Sequence, residues 1–355
     1  MQARRGVKLG PGTRKNPLPG QKCIACVFAL SGEEALDSAS FLQTSRVVIV
    51  AGKGGVGKTV VSAALARLAS NLNLSTLLIE IEGKGGLPGL FGHPPLTYKE
   101  TELSPATDRA ARIMGRTLTP DDALLEYLED HGMSRVSKRL VSSGAVDIVA
   151  TAAPGIKDIL ILGKIKQLER SGAADLIIVD APAAGHAITF LMAARGLSEA
   201  VRMGPIRAQA TEVLELLGDP LRCSVMLVTL PEETPVNELV ETGFKLEDEV
   251  GIKLGPAVVN GVYPLMPGLG ADPLKASEAI GTSLLQGEAE TLSQAAEFRL
   301  KRHELQANQL KRLSEQLPLP QLCLPFLFRA DLGPDQVNVL ADALREQIEA
   351  MGDWP

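Results

Sequence analysis

Short apolar runs bounded by turns alternate along this chain with stretches whose apolar positions recur at helical spacing. That alternation predicts βαβ units and a mostly parallel sheet. The runs predict strands at Arg46–Ala51, Ser75–Ile81, Val146–Thr151, Leu176–Asp180, Ser224–Leu230, Pro256–Asn260 and Gln321–Leu324. Several are apolar at every position, as in Leu176-Ile177-Ile178-Val179, which is the signature of strands covered on both faces. Helices are predicted at Lys58–Asn71, Ala187–Arg195, Pro235–Glu249 and Pro334–Met351, the last opening on Pro334 and Asp335.

Two zones exceed a minimal doubly wound domain. Residues from about 88 to 170 predict a largely helical insertion, including Asp121–Asp130 and Gly155–Arg170, where Ile156, Ile159, Leu160, Ile165 and Leu168 roughly follow the 3.6 period. A second helical zone spans about 191–217, and the polar Leu284–Gln316 predicts one long solvated helix. The fold class expected is α/β: a P-loop NTPase with a doubly wound, mostly parallel sheet and a helical insertion subdomain. Residues 1–44 are basic and rich in Pro and Gly, so they predict a poorly ordered leader to a domain at 45–355.

Composition narrows the function. With 355 residues the chain can bury a full core. A net charge of −6 supplies no global positive field, and aromatics at 3% supply few stacking platforms, so no nucleic-acid partner is expected. No apolar run approaches the length of a membrane span, so no direct membrane insertion is expected. The pair Cys23 and Cys26 is a lone CxxC and a weak metal signal, while Cys223 and Cys323 sit at strand ends and read as small buried hydrophobes. Four cysteines without a disulfide pattern, together with a nucleotide loop, point to the cytoplasm.

The chemistry concentrates at Gly52-Lys53-Gly54-Gly55-Val56-Gly57-Lys58-Thr59, directly after one strand and before one helix. This is the context of a phosphate-binding loop. Glycines let backbone N–H groups turn inward around phosphate, and the helix N-terminus adds positive charge. Lys58 reaches the β/γ-phosphates and the Thr59 hydroxyl suits Mg²⁺; the ligand expected is ATP with Mg²⁺. Lys53, two positions into the loop, is badly placed for its own nucleotide but well placed for that of a facing copy, where it would stabilise charge on the transferred phosphoryl group. Asp180 ends a buried strand, where a Mg²⁺-associated acid belongs. After it, Ala181 to His186 form a small-residue turn suited to shifting between γ-phosphate states, with His186 either a contact of that turn or simply packed. Glu82 stands at the tip of Ser75–Ile81, before mobile glycines, as a candidate to orient the attacking water. Glu80 shares its strand face by the two-residue period but lies further from the tip.

These pieces together resemble the deviant Walker A ATPases, and specifically the ArsA-like family (arsenical pump-driving, anion-transporting ATPases). The ArsA-like features are the segment Asp180–His186 with Ile188-Thr189-Phe190-Leu191, Ala153-Pro154-Gly155-Ile156 opening a helix, and Pro256 to Asn260. The resemblance implies an ATPase with Lys53, Glu82 and Asp180 catalytic, and with Thr59 and Asp180 at the metal. It implies nucleotide contacts from Gly52, Lys53, Gly54, Gly55, Val56, Gly57, Lys58, Thr59 and Val60, with Asn260 and Pro325 beside the adenine. It also implies a nucleotide-gated homodimer, or a heterodimer with a paralogous ATPase, coupled to a membrane protein or hydrophobic client. Glu82 replaces the family's aspartate in a flexible loop, which favours a slow-turnover interaction switch as the alternative. The metalloid cysteines are missing, since no cysteine lies between Cys26 and Cys223.

Overall fold

The computed structural model describes residues 37–81, 85–130, 132, 135 and 155–351, and of 183–186 the backbone alone. Its strands are β1 (Val47–Gly52), β2 (Thr76–Ile81), β3 (Thr101–Ser104), β4 (Ile113–Leu118), β5 (Leu176–Ala183), β6 (Cys223–Thr229), β7 (Lys253–Leu254), β8 (Ala257–Val262) and β9 (Gln321–Pro325). They form one sheet in the order β3-β4-β2-β5-β1-β6-β8-β9, with β7 paired to β6. β3 runs antiparallel to β4, and the other pairings are parallel. The α/β doubly wound sheet expected from the sequence is therefore the one observed.

The helices are α1 (Ser38–Gln43), α2 (Lys58–Asn71), α3 (Gly86–Gly89), α4 (Pro120–Asp130), α5 (Ile156–Ser171), α6 (Ala184–Ala200), α7 (Pro205–Gly218), α8 (Glu233–Lys245), α9 (Pro273–Ala279), α10 (Glu288–Gln316) and α11 (Pro334–Ala350). A π-helical turn at Leu246–Val250 extends α8. None of the described helices is long and apolar enough to cross a membrane.

Alternate residues of the central strands face two different layers. Val47, Ile49, Leu77, Ile79, Ile177 and Val179 pack under α5, α6 and α7, against Ile159, Phe190 and Val213. Val48, Val50, Leu78, Leu176 and Ile178 pack under α2 and α11, against Val61, Leu65, Val337 and Leu344. Every residue of β1, β2 and β6 is buried, as their continuous apolar runs require.

Some expectations change. The stretch 88–170 was expected to be helical but also contributes β3 and β4, which extend the sheet beyond β2. In β4 the apolar run is broken by Gly115 and Arg116, so the strand signal is weak. The Arg116 side chain is nevertheless buried, stacked on Tyr98 at 4.5 Å and paired with Glu100 at 3.5 Å. Helix α1 lies ahead of Ser45. Asp37 caps α1 through the backbone N–H groups of Ala39 and Ser40, and Leu42 enters the core. The predicted strand Val146–Thr151 and the Cys23/Cys26 pair lie outside the described residues. Cys223 and Cys323 are buried thiols outside any disulfide, and burial pushes the Cys223 thiol up, as expected of packing rather than reactive cysteines.

Candidate functional site

The loop at the C-terminal end of β1 turns directly into α2, and its glycines are dictated by what surrounds them. A Cβ on Gly52 would stand 2.3 Å from the Val228 carbonyl oxygen. Gly57 has φ +92°, and a Cβ there would stand 2.2 Å from Asn260 Nδ2. Only glycine fits either place. The Asn260 amide donates to the Val56 carbonyl at 2.9 Å, so β8 buttresses the loop from the side.

Lys58 opens α2 and is buried; its ammonium donates to the Lys53 carbonyl at 3.0 Å, which keeps it folded along the loop. The Thr59 hydroxyl donates to Asp180 Oδ2 at 2.6 Å. Asp180 is 1% exposed, within β5 beside Val50 of β1, and the strand runs on past it to Ala183. Hydroxyl and carboxylate oxygens in this arrangement are hard donors of the kind Mg²⁺ takes, one or two from protein and the rest from water and phosphate. The residues present therefore fit that ion.

Lys53 does not point into open solvent. It forms an ion pair with Glu238 of α8 at 2.5 Å, within the same chain. Both side chains are more than a third exposed, so the pair is weak and readily exchanged. Glu82 lies outside the described residues, as does the side chain of His186. Gly86 of α3, four residues on from Glu82, approaches Thr59, with a built Cβ 3.8 Å from Thr59 Cγ2, so the chain leaving β2 returns to the phosphate loop.

On the far side of Asn260 the ends of β8 and β9 meet, and the Phe326 amide donates to the Val262 carbonyl at 2.8 Å. Pro325 closes β9 there. Just beyond it stand Tyr263, Phe326 and Phe328, with Phe326 and Phe328 edge to face at 4.6 Å and Arg299 over the Phe328 ring at 4.6 Å. Sequence reasoning missed this cluster because Tyr263 and Arg299 come from separate elements. The available signal was the Phe326-x-Phe328 spacing in a chain otherwise poor in aromatics.

The strand, glycine-rich loop, helix and buried acid of the neighbouring strand define a P-loop ATPase. A family model described as anion-transporting ATPase matches residues 45–210. ATPase BagA of Mycobacterium tuberculosis is 33% identical over 241 residues, covering 66% of this chain and 70% of that protein. A putative arsenical pump-driving ATPase of Halobacterium salinarum is 23% identical over 84% of this chain and 44% of its own length. ATPase get3 of Schizosaccharomyces japonicus is 30% identical over 48% of this chain and 54% of its own length. The chain belongs to the anion-transporting ATPase family. It is an ATPase, and nucleotide binding comes with that membership.

Proposed function

We propose that this ATPase is Mg²⁺-dependent and works as a nucleotide-gated dimer, with Gly52 to Val60 holding the triphosphate and Asn260 and Pro325 flanking the adenine. The observation that carries the reading is the Thr59–Asp180 hydrogen bond at the mouth of a loop whose lysine is already folded inward. Thr59 and Asp180 would hold the metal, which supplies charge neutralisation on the β- and γ-phosphates when bound. Lys58 moves from the Lys53 carbonyl to phosphate oxygens, and the loop N–H groups and the α2 N-terminus add further positive charge there. Glu82 orients the attacking water.

Lys53 exchanges Glu238 for the phosphates of a facing copy, so ATP draws two copies together. Release of phosphate returns Lys53 to Glu238 and lets them part. The cycle alters a surface, in the stretches 88–170 and 191–217, that engages a hydrophobic client or a membrane protein. Met203 and Ile206, exposed around the start of α7, support that assignment. The Lys53–Glu238 pair also favours a second reading, a slow-turnover switch whose signature lysine is parked until a partner, identical or paralogous, arrives.

Sedimentation with a non-hydrolysable ATP analogue tests the gating. The chain is expected to dimerise with the analogue and Mg²⁺, and Lys53→Ala to remain monomeric. A Lys53→Ala protein that dimerises as wild type would overturn the proposal, and a chain that pairs only with a paralogue would establish the heterodimeric form.

A further inference from the structure

Glu80 is a buried acid with no part in the proposed cycle. It is 1% exposed, one residue from the end of β2. Its register partners are Asp180 on β5 and Thr117 on β4, so the three side chains stand in a row across neighbouring strands about 4.8 Å apart. The two-residue period of β2 puts Glu80 on the same face as Leu78, which packs under α2, the helix that carries Lys58 and Thr59. Thr117 donates to Glu80 Oε2 at 3.3 Å, while Oε1 is fully buried with no partner among the described residues. β2 lies between β4 and β5, so with Thr117 taking one oxygen from the β4 flank, the other is left for the β5 flank and Asp180.

An unpartnered buried carboxylate oxygen is costly, and two carboxylates side by side repel. A divalent cation with its water shell relieves both. We propose that Glu80 is a positioning residue of the metal site, accepting a hydrogen bond from a metal-bound water opposite Asp180, with Thr117 fixing its orientation. This rests on the reading that ATP is bound with Mg²⁺ at Thr59 and Asp180. Acids that orient a metal's shell from one step out typically contribute 10–100-fold to metal affinity.

The test uses the full chain with a non-hydrolysable ATP analogue and Mn²⁺, whose free signal is read by electron paramagnetic resonance. Glu80→Gln keeps the size and an acceptor for Thr117, and is expected to weaken Mn²⁺ binding by roughly tenfold or more. Analogue binding in EDTA should stay at the wild-type value. Thr117→Val, which removes the orienting bond without touching the carboxylate, should produce a smaller loss in the same direction. Wild-type Mn²⁺ affinity in both variants would overturn the proposal and make Glu80 a packing residue. Wild-type protein that binds the analogue with no dependence on Mn²⁺ would instead overturn the metal reading beneath it.

Discussion

The two faces of the central sheet use the same strands for opposite ends. Toward α5, α6 and α7 the side chains stay apolar to the strand tips, through Ile81, Val179 and Ala181. Toward α2 the rows of β2 and β5 turn from apolar Leu78 and Ile178 to Glu80 and Asp180. A strand alternates its side chains between faces, so a single residue's parity decides whether it stabilises the fold or serves the site. Glu80 and Asp180 face the helix whose N-terminus carries Lys58 and Thr59, while the other face is packed with apolar side chains. Thr59, Asp180 and Glu80 thus gather at one rim of one layer.

That division makes substitutions on the two faces behave differently. The largest effect is expected from Phe190→Ala on the packing face. The ring is 1% exposed, and its loss should lower stability by about 3–5 kcal/mol in denaturant unfolding. The protein that remains folded should bind ATP with near wild-type affinity, and a large change in its affinity would blur the comparison. Gly57→Ala on the site face should do the reverse. A left-handed backbone carrying a Cβ costs about 1–3 kcal/mol, and the methyl group must displace the Asn260 amide. Calorimetric titration should show a marked loss of ATP affinity.

A smaller effect is expected at His303 of α10, away from both faces. Its imidazole is buried with neither ring nitrogen hydrogen-bonded among the described residues, and burial, with Arg299 nearby, holds its pKa below the ordinary value of 6.5. The unfolded chain therefore takes up the proton first, so stability falls as pH drops below about 6.5. Thermal melts of His303→Leu should lose that part of the pH dependence, and an unchanged profile would remove His303 from the account.

Much of this was legible in the sequence. The central strands and the places of the loop and of Asp180 follow from apolar runs ending in glycine or acid, because local signals suffice where every neighbour is apolar, although β5 continues past Asp180 to Ala183. Three features were not. β4 carries Gly115 and Arg116 within its run, and only the distant Tyr98 ring and Glu100 make an arginine tolerable there. Lys53 meets Glu238, 185 positions away, which no spacing argument anticipates. Glu80 was ranked below Glu82 by distance from the tip, yet registry with Asp180, a property of the assembled sheet, is what places it beside the site.

Phosphate release from ATP by the wild-type chain and by Lys58→Ala reads whether the loop between β1 and α2 holds the triphosphate. Turnover should fall by at least about a hundredfold when the buried ammonium is removed, with the circular dichroism spectrum unchanged. Wild-type turnover in the folded variant would show that the triphosphate is not held by the loop between β1 and α2.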